Sequence, residues 1–100
     1  MRDDITNIAI EDYLADLMPP RPHTLAELER NAREHGWPLV GPVEGQFLYL
    51  LAKSSGARKA LEIGTATGYA ATWLLRAIAP NGGRLTAIER NQERIALART

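Results

Sequence analysis

The sequence contains no cysteine. That removes a disulfide framework, a thiolate nucleophile and any cysteine-based zinc site, and it reads most simply as a chain of the reducing cytoplasm. An excess of either charge is also lacking: Lys and Arg together number 12, Asp and Glu together 12, and the formal net charge is zero. General attraction to nucleic acid or to anionic lipid is therefore excluded, leaving only a local basic patch as an option. The longest apolar run, residues 47–52, falls far short of the roughly 20 residues needed to span a bilayer. The start, Met1-Arg2-Asp3-Asp4, puts acids where an export signal needs bases followed by an apolar stretch. Neither a membrane nor a nucleic-acid partner is expected. Internal repeats and low-complexity tracts are missing too. What is present is 100 residues, 45% of them hydrophobic, enough for one globular unit that buries roughly 65% of its unfolded surface.

Helical spacing runs over 6–18, where Ile10, Tyr13, Leu14, Leu17 and Met18 alternate with Glu11, Asp12 and Asp16. Pro19 ends it, because proline disfavours the α conformation in the residue before it. Thr24-Leu25-Ala26-Glu27 spells a capping box, in which hydroxyl and carboxylate each satisfy a free backbone amide. A second helix is expected from there to His35, closed by Gly36. Residues 37–42 hold two prolines, which remove donors and fix φ, so an extended connector is expected. Helical spacing returns over 43–55, with Phe47, Leu50 and Leu51 on one side.

Residues 59–63 form a short apolar run between glycines, the pattern of a strand buried on both faces of a parallel sheet. A loop over 64–68 leads into a helix over 69–78, whose apolar side includes Trp73, Leu74, Ala77 and Ile78. Pro80-Asn81-Gly82-Gly83 is a turn, 85–88 a second strand, and Asn91 the cap of a last helix. The expected class is α/β: helices followed by the first βαβ unit of a parallel sheet. Two strands make an incomplete sheet with exposed pairing edges. The chain is therefore expected to be the front half of a larger domain, or to lean on a partner.

The chemistry is written in Leu61-Glu62-Ile63-Gly64-Thr65-Ala66-Thr67-Gly68-Tyr69. A dinucleotide fold usually writes G-x-G-x-x-G after its first strand, so that helix-start amides grip a pyrophosphate. Here the glycines stand as Gly64 and Gly68, with Glu62 two residues ahead of them. A carboxylate at that mouth opposes a pyrophosphate but suits a ligand bearing positive charge. S-adenosylmethionine carries a sulfonium, an ammonium and a single carboxylate, and that carboxylate suits the start of the next helix. Glu89, at the end of the second strand, is placed to accept hydrogen bonds from both hydroxyls of a ribose.

Three blocks together, Glu44-Gly45-Gln46-Phe47-Leu48, the stretch from Ala60 to Tyr69, and Gly83-Arg84-Leu85-Thr86-Ala87-Ile88-Glu89, resemble the S-adenosylmethionine-dependent O-methyltransferases of the catechol and caffeoyl-CoA type. The resemblance implies a Rossmann-like methyltransferase fold, with N-terminal helices and connector over 1–42 and the first half of the cofactor-binding domain over 43–100. It implies that Val40 reaches the cofactor from the connector, that Glu62, Gly64 and Thr65 line the methionine side, and that Gly68 belongs to the same cofactor site. Tyr69 is implied beside the sulfonium, Glu89 on the ribose and Arg90 beside the adenine. Ala70 departs from the family, which commonly has serine there, and costs one hydrogen bond to the methionine portion. The implied reaction moves a methyl group to a phenolic or catechol-like hydroxyl, in a homodimer. A divalent metal held by two aspartates and an asparagine is also implied, and no residue of this sequence matches those ligands, so the chain alone is expected to be inactive.

His23 and His35 read as surface or capping residues, Trp73 as core, Trp37 as packing or a substrate entrance, and Arg84, Arg90, Arg94 and Arg99 as a solvated face. Two alternatives stay open. One is a non-catalytic nucleotide-binding or oligomerising module. The other is an NAD-dependent oxidoreductase fragment, disfavoured by the glycine spacing and by Glu62.

Overall fold

The computed structural model describes residues 7–37 and 39–99. Its elements are α1 (Ile8–Leu17), α2 (His23–His35), α3 (Gly41–Ser54), β1 (Lys59–Ile63), α4 (Tyr69–Ile78), a 3₁₀ turn (Ala79–Asn81), β2 (Arg84–Ile88) and α5 (Gln92–Arg99). β1 and β2 pair in parallel with Lys59 opposite Arg84 and Ile63 opposite Ile88. The expected order of helices, then strand, helix, strand, helix, is present, and the sheet has two strands.

α1 begins at Asn7, whose Oδ1 accepts from the amides of Ala9 (2.9 Å) and Ile10 (3.4 Å); the expected start at Thr6 and the role given to Pro38 lie outside the described residues. The capping box at Thr24 is not formed. Pro22 takes the cap position with φ −53°, and no side chain bonds there. Proline presets the first helical turn, so Thr24 is already inside the helix, and Glu27 faces His23 instead, with Nε2 to Oε2 3.4 Å. The other end behaves as expected: Gly36 turns left-handed (φ 68°) and the Trp37 amide donates back to Ala32 at 2.9 Å.

The extended connector is shorter than its prolines imply. Gly41 and Pro42 form the first turn of α3, where a missing N–H costs nothing because that position has no intrahelical acceptor. The side of α3 that bears Phe47, Leu50 and Leu51 is not the one that packs inward. Phe47, Leu50 and Leu51 are exposed, while Gly45 is buried against Trp73 so closely that a Cβ on Gly45 would land on the indole. Helix α4 is the hub, packing on α2, α3 and both strands. Leu25, Tyr69 and Trp73 form the core, with Met18, Leu28, Leu39 and Tyr49 packed around them.

The strand expected to be buried on both faces is covered on one. Ala60 and Glu62 are half-buried, whereas Leu61 and Ile63 are 63% and 79% exposed. Residues paired in parallel register share a face, so Leu61, Ile63 and Ile88 together form an open apolar surface. Burial of a strand's second face needs a layer that these residues do not include.

Candidate functional site

The C-terminal ends of β1 and β2 lie side by side, and the residues that follow them build the site. Pairing continues past the strands: the Gly64 and Thr65 amides both donate to the Ile88 carbonyl, at 2.7 and 3.3 Å. The chain then turns sharply, with Gly64 and Gly68 both at φ 89° and Ala66 at φ 51°. A left-handed alanine costs about 1–2 kcal/mol. Something must hold it, and Glu89 does. Its Oε1 accepts from the Ala66 amide at 2.8 Å and its Oε2 from the Asn91 amide at 3.0 Å. Asn91 in turn caps α5, its Oδ1 accepting from the Arg94 amide at 3.1 Å, as the sequence leads one to expect.

These two amides, Asn91 first and then Ala66, hold the Glu89 carboxyl below the ordinary carboxylate range. Glu62 is pushed the opposite way. Burial raises its carboxyl, the neighbouring Thr65 hydroxyl partly opposes this, and the Glu89 charge adds to the rise. Glu62 Oε1, Thr65 Oγ1 and Thr67 Oγ1 are all buried without a hydrogen-bond partner. Three such orphans around one turn form a donor and acceptor set still to be satisfied, and buried polar atoms are rarely left so. α4 starts at Gly68, whose lack of a side chain leaves its first amides with no capping acceptor.

The site residues read from the sequence do not all meet here. Glu62, Gly64, Thr65, Gly68 and Glu89 gather at the strand ends, with Ala70 in the first turn of α4 and exposed Arg90 directly after Glu89. Tyr69 has its backbone at the loop's end but its ring in the core, 2% exposed. Its hydroxyl donates to Glu29 Oε2 at 2.7 Å, and Arg21 grips the same carboxylate from Nε (3.2 Å to each oxygen) and an NH2 nitrogen (2.9 Å). Val40 caps α3 and lines a separate groove of ≈1140 Å³ with Trp37, Glu29 and Arg21; none of the strand-end residues borders that groove. The sequence reading passed over Glu29. Spacing alone places it on the stripe that α2 buries, between Leu25 and Ala32, without showing what meets it there.

A family-wide sequence pattern described as O-methyltransferase matches residues 16–100. This chain belongs to the O-methyltransferase family. Among its O-methyltransferase relatives, a catechol O-methyltransferase of Niastella koreensis is 35% identical over 90% of this chain and 41% of its own length. Caffeoyl-CoA O-methyltransferase 1 of Zea mays is 38% identical over 85% of this chain and 34% of its own length. The solved O-methyltransferase from Bacillus cereus, in complex with SAH, superposes with a TM-score of 0.80 at 36% identity, covering 99% of this chain and 44% of that one. The chain thus spans less than half the length of these relatives, over their Rossmann-like cofactor fold. Among the described residues, no group of three or more His, Cys, Asp or Glu comes together that could hold a metal ion, and no helix is long and apolar enough to cross a membrane.

Proposed function

We propose that this chain builds the cofactor side of an S-adenosylmethionine-dependent O-methyltransferase acting on a small phenolic or catechol-like hydroxyl. The single observation that carries the reading is Glu89, fixed by two amides at the exit of β2 with a free lone pair left on each oxygen. A carboxylate so held meets the two hydroxyls of a ribose without reorganising. Glu62, half-buried and with one oxygen unpartnered, faces the cationic methionine end, where an ammonium restores the charge balance that burial disturbs. Gly64 and Gly68 let the backbone approach closely, and the Thr65 hydroxyl is free to bond the same end. The uncapped amides of Tyr69 and Ala70 at the start of α4 suit the ligand's carboxylate. Arg90 lies beside the adenine, whereas Val40, on its separate groove, is left out of the site.

The bound cofactor supplies an electrophilic methyl group on sulfur. The residues described here bind and orient it; they deprotonate nothing. The divalent metal that the family resemblance implies would take its ligands from residues other than these, as would the acceptor pocket. The working assembly is a homodimer in the cytoplasm.

Titration of SAH against the intrinsic tryptophan fluorescence gives a saturable change, and NADH gives none. Glu89→Ala weakens SAH binding by roughly tenfold or more, since hydrogen bonds to a charged acceptor contribute about 1.5–3 kcal/mol. A response to NADH alone would overturn the reading.

A further inference from the structure

Glu29 is a buried carboxylate 40 residues away in sequence from the hydroxyl that it holds. It stands on α2, far from the strand ends along the chain, and the cofactor reading gives it no task. Its surroundings are nevertheless fully organised. Arg21, from the short link between α1 and α2, neutralises it with three hydrogen bonds, and Tyr69 supplies a fourth. Burial, reinforced by the Glu29 charge and opposed by Trp73, keeps the Tyr69 hydroxyl protonated well above its ordinary range, so it is a permanent donor.

The importance lies in where Tyr69 sits in the chain. It is the first residue of α4, directly after left-handed Gly68. The Gly68 amide donates to the Thr65 carbonyl at 3.0 Å, and the Gly68 carbonyl accepts from the amide (3.0 Å) and the hydroxyl (2.7 Å) of Thr72. The glycine turn is therefore moored twice by carboxylates: Glu89 holds the Ala66 amide, and Glu29 holds the side chain that closes the turn. Gly64 and Gly68 are free to adopt many conformations in an unmoored chain, and Ala66 actively resists the one that it has. A turn of this kind keeps its shape only where its surroundings impose it.

We infer that Glu29 is a positioning residue for the cofactor turn, acting through Tyr69, and that Arg21 holds it in place. The N-terminal helices thereby set how much of the protein has a turn ready for the nucleoside. The inference rests on the cofactor reading above for its effect on affinity, but not for its effect on the turn.

The test uses the intact protein, with Tyr69→Phe to remove the hydroxyl alone and Glu29→Gln to keep shape while removing charge. Two quantities are measured well below the thermal midpoint: the Kd for SAH by calorimetry, and amide hydrogen exchange at Ala66 and Gly68 without ligand. Tyr69→Phe raises the Kd about five- to tenfold, because apparent affinity scales with the fraction of molecules already competent. It also speeds exchange at Ala66 and Gly68 while leaving β1 and β2 unchanged. Glu29→Gln moves both readouts in the same direction by less, since the amide oxygen still accepts from Tyr69. Unchanged exchange at the turn in both variants, with or without a lower thermal midpoint, overturns the inference and leaves Glu29 a structural acid. Failure of the unsubstituted protein to bind SAH would remove the cofactor reading alone, because the exchange comparison still decides the role of Glu29.

Discussion

Glu62 and Glu89 are the same residue type at the same end of one sheet, and their surroundings drive them apart. Glu89 accepts two amides and titrates low; Glu62 is desolvated beside it and titrates high. For Glu89, folding favours the ionised form, so its contribution is present above the unfolded pKa and is lost as pH falls through the folded value. For Glu62, folding favours the protonated form. Its contribution is fully present below the unfolded pKa and is lost as pH rises through the raised folded value, so ionising the half-buried carboxyl works against the fold of the ligand-free protein. Glu62→Gln accordingly raises the thermal midpoint of the ligand-free protein at pH 7 and lowers its affinity for SAH; a midpoint that falls would show that the carboxylate is not under strain. Both acids were legible in the sequence because they stand at strand mouths, where an acid has little structural work. Glu29 was not, because spacing shows that an acid lies on a buried stripe but cannot show that an arginine and a tyrosine converge on it.

At the scale of elements, the contact between α3 and α4 is set by Gly45, which leaves no room between its backbone and the Trp73 indole. Gly45→Ala relieves a helix of a poor helix former yet overpacks the core, and the second effect is larger: about 1–3 kcal/mol lost against up to about 1 gained. For a chain of this size each net kcal/mol lowers the thermal midpoint by roughly 4–8 °C, which differential scanning fluorimetry reads directly. Element types and order could be read from the sequence because apolar periodicity and glycine placement are local signals. Which side of α3 packs inward could not, since Phe47, Leu50 and Leu51 offer the stronger apolar stripe and the close approach at Gly45 outweighs it. The start of α2 escaped for a similar reason: Thr24 and Glu27 fit a cap, but Pro22 two residues earlier already fixes the first turn.

For the molecule as a whole, the two-stranded sheet is finished on one side only. Leu61, Ile63 and Ile88 present a continuous apolar face, the kind of surface that soluble proteins keep covered. The 100-residue chain expressed alone therefore binds the dye ANS and self-associates with rising concentration in sedimentation velocity. Replacing Ile63 and Ile88 with threonine reduces both effects without unfolding α4, and circular dichroism checks the latter. The sequence of the strand hid this, because a short, mainly apolar segment looks the same whether its second face is covered by this stretch of chain or by another.

The bond between Glu29 and Tyr69 also orders events in time. A ribosome delivers α1, α2 and α3 first, and at that stage Leu25 lacks Tyr69 and Trp73, the side chains that complete its core, while the Glu29 carboxylate has only Arg21 to meet. The bond to Tyr69 closes a loop of 40 residues, an entropic cost that burial of the tyrosine and tryptophan beside Leu25 offsets. The glycine turn and the helices α1 to α3 are thus tied together by a contact that can form only after α4 is made.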